Sequence, residues 1–206
     1  MPNGRARPTL LILAGPNGSG KSTFYRNFLQ PLYPSLVNAD DIAKTLVNST
    51  PSVDERLAAN LAAARLATEE REKLIQQGVT FAFETVFSRT SYWIEFIFRA
   101  LAARYRVEIF FLCTERPDLN VARVETRVLA GGHPVLADKV ITRYFGSIQT
   151  AVLAKSLVDE FWLYDNTADG KSPLLVGRFV EGKPIDIPAT IPQWAIPFFI
   201  PVPLAQ

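Results

Sequence analysis

The chain has 206 residues, with 22 basic side chains against 20 acidic ones and a net charge of +2. That balance argues against a broad nucleic-acid or membrane-surface footprint and confines any basic site to a local cluster. A composition of 48% hydrophobic and 20% charged residues excludes disordered and fibrous classes. The single cysteine, Cys113, excludes an internal disulfide and a cysteine-rich metal site, which fits a reducing, cytoplasmic setting.

The first element is the apolar run TLLILAG, residues 9–15. It is too short for a signal-peptide core and no small-residue cleavage pattern follows it, so it reads as a strand. Its continuous apolarity is what a strand buried on both faces requires. The segment that follows, GPNGSGKS, fits G-x-x-x-x-G-K-[ST] between a strand and a helix. Gly15, Pro16, Asn17, Gly18, Ser19, Gly20, Lys21, Ser22 and Thr23 thereby read as an ATP-binding loop whose bare amides and helix N-terminus face phosphate. Lys21 is placed to reach the outer phosphates, and the Ser22 hydroxyl to ligate Mg2+.

The next strands are SLVNAD (35–40) and VTFAFET (79–85), separated by a helix from Asp54 to Gln77. Ser52 and Glu55 have capping-box spacing, and Gly78 offers a stop. Leu57, Leu61, Ala64, Ala67, Leu74 and Ile75 are expected on the inner face of this helix, and the charged run EEREK (69–73) on its solvated side. In a parallel sheet ligands bind beyond the carboxyl ends of the strands, so NADD and FET should face the phosphate loop. Asp40 is the candidate base, with a second role near Mg2+, and Asp41 the candidate cap of the following helix. Glu84 ends an apolar strand where an unpartnered carboxylate is costly, and reads as a substrate or magnesium-shell ligand.

A fourth strand, RVEIFFLCT (106–114), holds Cys113 as a small buried residue rather than a nucleophile. Residues 116–147 then form two helices, the first opened by Pro117 and ended at Gly131 and Gly132, which together read as a hinged lid. Arg123 and Arg127 share a face, and His133, Lys139 and Arg143 are placed to converge with them. Arg127 and Arg143 are the leading candidates for catalytic arginines, whereas His133 stays open between substrate contact and loop hydrogen bonding. In the fifth strand, VDEFWLYDN (158–166), Asp165 and Asn166 stay open between bordering the base and shaping a turn. Two short strands around EGK follow, then a proline-rich tail that packs on the core through Trp194 and Phe198 or makes a dimer contact. The stretch AIPFFIPVPLA is too short and too proline-rich to cross a bilayer.

Taken together, GPNGSGKST, VNADDIA, FAFETVFS, RVETRVLAGGHPV, TRYFGS and YDN resemble the zeta-toxin-like P-loop kinases over residues 8–167. The resemblance implies a P-loop kinase fold, ATP and Mg2+, and, for the best-known toxin members, phosphorylation of the 3'-hydroxyl of UDP-N-acetylglucosamine. By motif it makes Asp40 the base, Glu84 an acceptor contact supported by Thr85, and Arg127 and Arg143 phosphate-binding lid residues. The stretch DIAKTLVNSTP after Asp40 departs from the basic, histidine-containing pattern of the toxins, and FETVFS lacks their closing arginine, though Arg89 follows. The expected architecture is a single α/β domain, core 8–167 and extension 168–206, with a five-stranded, mostly parallel sheet, a helical lid, a C-terminal hairpin and the tail. The expected activity is ATP-dependent phosphotransfer to a hydroxyl of a small anionic metabolite. A polynucleotide end kinase and a nucleotide-controlled binding module are the competing readings. No membrane partner is expected, and an antitoxin protein enters only through the resemblance.

Overall fold

Strand β1 (Thr9–Ala14) is buried at every position after Thr9, because successive side chains enter two different core layers. Leu10, Ile12 and Ala14 point into one layer, and Leu11 and Leu13 into the other. The computed structural model describes residues 7–47, 52–132 and 134–200. Around β1 lie β2 (Leu36–Val37), β3 (Phe81–Thr85), β4 (Arg106–Cys113) and β5 (Glu160–Asp165), all parallel, in the order β2-β3-β1-β4-β5. The chain leaves β1 for one side of the sheet and returns to the other. The strand order therefore reverses at β1, and a crevice opens beyond its carboxyl end.

Two antiparallel strands, β6 (Leu174–Val180) and β7 (Lys183–Asp186), extend the sheet beyond β5. The expected five-stranded sheet is thus seven-stranded, with the C-terminal hairpin hydrogen-bonded into it. The physical reason is cover for an exposed edge: Phe179 pairs with Phe161 of β5, and both rings are buried.

One face of the sheet carries α3 (Val53–Gln77), α4 (Thr90–Ala102) and α6 (Ala137–Ala154), whose inner residues join Phe83, Ile109, Phe111 and Phe161 in the larger core. The other face carries α1 (Lys21–Phe24), continued by a π-turn over Tyr25–Leu29, with Phe24 and Leu29 on Leu11, Leu13 and Leu112. A short 3-10 helix, Gln193–Phe198, buries Trp194 and Phe198 near Phe111. The tail therefore packs on the core as expected. Among the described residues no helix is long and apolar enough to cross a membrane.

Four local expectations need correction. The second strand stops at Val37 because the Asn38 side chain accepts the Asp40 backbone N–H at 2.8 Å and caps α2 (Ala39–Thr45). Asp40 is therefore in the first helical turn, and Asp41 is not the cap but pairs with Lys44 at 2.6 Å. Helix α3 has the predicted capping box and its Gly78 stop, yet its buried line is Ala59, Ala63, Ala67 and Arg71. Of the expected inner residues, Ala67 is buried and Leu74 and Ile75 pack on the core, whereas Ala64 is exposed and Leu57 and Leu61 are 59% and 68% exposed. Alanines four residues apart let the first turns of α3 lie close to their neighbours, and Leu57 and Leu61 are turned outward. The run 69–73 is consequently not all solvated, since Arg71 is buried.

Candidate active site

The loop between β1 and α1 is built around positions where a side chain would collide with its surroundings. Gly18 has φ +76°, and a Cβ there would sit 2.5 Å from the Asn120 carbonyl oxygen; at Gly20, φ +88°, it would sit 2.2 Å from Asn166 Nδ2. The same two asparagines hold the loop. Asn120, fully buried on α5 (Pro117–Leu129), donates to the Asn17 carbonyl at 2.6 Å, and Asn166 donates to the Ser19 carbonyl at 2.9 Å. Asn166 is thus a loop clamp, whereas Asp165 accepts from Thr167 N and from Trp194 Nε1, shaping the turn and anchoring the tail. Among the described residues the buried Ser19 hydroxyl has no hydrogen-bond partner. A phosphate-sized anion fits this donor-rich, side-chain-free concavity.

Lys21 is 6% exposed, and its ammonium donates to the carbonyls of Gly15 and Pro16 at 2.8 and 2.9 Å. Burial lowers its pKa, opposed by the charges of Glu84 and Asp40. Strand pairing sets Glu84 opposite Leu13 of β1, so its carboxylate reaches the start of α1. There it accepts from Ser22 Oγ at 3.0 Å and from Asn38 Nδ2 at 3.1 Å, with Lys21 Nζ 3.9 Å away. Burial raises the Glu84 pKa despite the lysine. Asp40 is exposed at the rim, close enough for its charge to act on both Lys21 and Glu84. Among the described residues no group of three or more His, Cys, Asp or Glu could hold a metal. Mg2+ does not need one, because it keeps waters and takes a hydroxyl or one or two carboxylates beside substrate phosphates; Ser22 and Glu84 fit that donor set.

The helices after β4 bring their arginines to different places. Arg143 of α6 donates to Asn17 Oδ1 at 3.3 Å, and the positive charge of Arg127 on α5 is felt by Lys21. Arg123 instead binds the carbonyls of Asn166 and Thr167 and pairs with Asp169, tying α5 to the loop after β5. Gly131, with φ +87°, and Gly132 close α5 as a Schellman motif, their amides donating to Val128 and Arg127 carbonyls at 2.9 Å. This cap accounts for the glycine pair without a hinge. His133 lies outside the described residues. Thr85 Oγ1 accepts from Phe87 N at 3.1 Å and so fixes the loop beyond Glu84. Cys113 is buried, and burial pushes its thiol pKa far up, so it is no nucleophile.

The phosphate loop, the Glu84 cluster and the arginines border one crevice of about 1260 Å³, with Asn120 behind the loop rather than on its wall. Its walls include Lys21, Ser22, Asp40, Glu84 and Thr85, with Arg127, Lys139 and Arg143 from the lid side. Two of the residues that shape it were invisible to sequence reasoning. Asn120 sits inside a helix with no motif around it, and Arg71 sits inside a charged run.

A family model described as an AAA domain, AAA_33, matches residues 10–145, well over half of the chain. The chain belongs to the AAA_33 family. An uncharacterized protein of Haemophilus influenzae is 31% identical over 134 residues, which cover 65% of this AAA_33 chain and 91% of that protein. Among solved structures, AvrRxo1-ORF1:-ORF2 with ATP superposes with a TM-score of 0.66 at 17% identity over 87% of the chain. A structure of the PezAT chromosomal toxin-antitoxin system of Streptococcus pneumoniae gives 0.58 at 14% identity over 84%. The AAA_33 chain spans 60% of the length of the first and 74% of the second. At these identities the likeness is one of fold, a P-loop kinase-like α/β architecture, and it agrees with the resemblance carried by the motifs.

Proposed function

We propose that the protein is an ATP-dependent phosphotransferase acting on a hydroxyl of a small anionic metabolite. The observation that carries this reading is the meeting of a phosphate cradle, the Ser22–Glu84 pair and an exposed Asp40 in one crevice large enough for donor and acceptor together.

In this reading the loop amides and Lys21 hold the donor phosphates, for which Lys21 must exchange its Gly15 and Pro16 carbonyls for phosphate oxygens. Ser22 and Glu84 would hold Mg2+, which when bound would neutralise charge on the phosphate oxygens. Asp40 takes the proton of the acceptor hydroxyl as its oxygen bonds to the γ-phosphorus and the bond to the β-γ bridging oxygen breaks, releasing ADP. Arg127 and Arg143 offset the charge that develops on the transferred group. Thr85 fixes the loop that borders the acceptor. A UDP-amino sugar of the UDP-N-acetylglucosamine type is the first acceptor to try, on the motif resemblance.

Asp40→Asn is the direct test. Transfer of label from ATP should fall about 10²- to 10⁴-fold while ATP affinity is kept. Unchanged turnover in this variant would remove Asp40 from the role of base.

A further inference from the structure

Arg71 is 7% exposed, yet among the described residues no carboxylate pairs with it. Its guanidinium lies on aromatic rings, 5.1 Å from the centre of Phe83, 5.5 Å from Trp93 and 6.0 Å from Phe96. Nη2 donates to Thr68 Oγ1 at 2.9 Å and, weakly, to Tyr92 OH at 3.4 Å, and among the described residues the buried Nε has no acceptor. Ring faces compensate a buried cation only in part, well short of the cost of desolvating it. A guanidinium has five N–H donors, and the two oxygens it meets here leave most of them without a strong acceptor. Arg71 also lines the crevice that holds Lys21, Asp40 and Glu84, on the α3 wall beside Tyr92.

We propose that Arg71 is the anion-recognising residue of the acceptor subsite, binding an oxyanion group, phosphate or carboxylate, on the molecule whose hydroxyl is phosphorylated. The proposal rests on the phosphotransfer reading of the same crevice and adds which residue selects the acceptor. Phe83 couples the two halves of the site: its ring supports Arg71, and the next residue along β3 is Glu84. The aromatic floor holds the guanidinium in place before the acceptor arrives, so little ordering is left for binding. Tyr92 adds a hydroxyl beside it for a further oxygen of the anion, whereas the Thr68 hydroxyl already donates to the Ala64 carbonyl at 2.9 Å.

The test loads the phosphate loop with the non-hydrolysable ATP analogue AMP-PNP and Mg2+, then titrates inorganic pyrophosphate and, separately, citrate by calorimetry. Wild type should bind at least one of the two anions. Arg71→Leu, which replaces the buried cation by an apolar group and so should fold, should weaken that binding tenfold or more with AMP-PNP affinity within twofold. Arg71→Lys should restore part of it. The pyrophosphate arm identifies a phosphate site and the citrate arm a carboxylate site. Failure of the loaded wild type to bind either anion, or equal binding by a folded Arg71→Leu variant, overturns the proposal. Transfer of label from ATP, measured on the same preparations, tests the parent reading separately: anion binding at Arg71 without any transfer would retain the site and reject the kinase.

Discussion

Glu84 is the side chain whose placement was least determined by its sequence neighbours. The run FAFET announces a carboxylate at the end of an apolar strand, and from that alone a metal role and an acceptor role are equally open. Parallel pairing of β3 with β1 sets it opposite Leu13, and its oxygens then meet Ser22 and Asn38. Its pKa is raised by burial above the ordinary 4.5, with the Lys21 charge opposing only in part. The unfolded chain therefore loses this proton at lower pH than the folded one, so stability falls as pH rises through that window. Glu84→Gln should melt above wild type at pH 7, and the difference should close at about pH 4.5 and below. Its Mg2+-dependent turnover should drop by about 10- to 100-fold if the carboxylate serves the metal. A lower melting temperature at pH 7 would contradict the balance of burial over ion pairing.

At the scale of elements, the phosphate loop and its flanking strand and helix were fully legible, because one motif specifies turn, amides and helix start together. What was not legible is what holds that loop from behind. Asn120 comes from α5, more than a hundred residues later, and its contact depends on how α5 packs. Asn120→Ala leaves the Asn17 carbonyl without its partner and should cost about 1–3 kcal/mol of stability, with weaker ATP affinity by calorimetry. The inner face of α3 was read correctly at Ala67, Leu74 and Ile75 but not at Leu57, Leu61 and Ala64, for a related reason: leucine and alanine both fit an apolar stripe, and only close packing selects Ala59 and Ala63. The glycines after α5 give a further contrast. A Cβ on Gly132 would lie 2.6 Å from Arg127 Cγ, so Gly132→Ala should displace that arginine and lower turnover by up to about 10²-fold with ATP affinity unchanged. Gly78→Ala, at φ +64° with nothing within 4 Å, should cost about 1 kcal/mol of stability and leave turnover alone. Equal activity in both glycine variants would remove Arg127 from the catalytic account.

At the scale of the whole molecule, the sheet joins the phosphate loop, the strand that carries Glu84 and the C-terminal hairpin. The alternation of apolar runs and helical patterns made the parallel core legible, but not the extension of that sheet by β6 and β7, since hairpins read locally and edge pairing does not. Trp194 donates to Asp165, and Asp165 precedes the Asn166 that clamps the phosphate loop, so the tail reaches the site through two hydrogen bonds. Trp194→Ala should therefore lower stability by about 3–5 kcal/mol in chemical denaturation and weaken ATP binding in the fraction that stays folded. Loss of stability with native ATP affinity would make the tail a core element with no bearing on the loop.

In the proposed reaction, donor and acceptor meet in one crevice and Asp40 receives the proton. The reaction is tested most directly by incubating wild type and Asp40→Asn with γ-labelled ATP and Mg2+ together with UDP-N-acetylglucosamine, other small anionic metabolites and RNA, and identifying what gains phosphate. Wild type should place label on a hydroxyl of a small anionic acceptor, and Asp40→Asn should bind ATP without transfer. Label on RNA ends alone, label on no acceptor, or undiminished transfer by Asp40→Asn would contradict it.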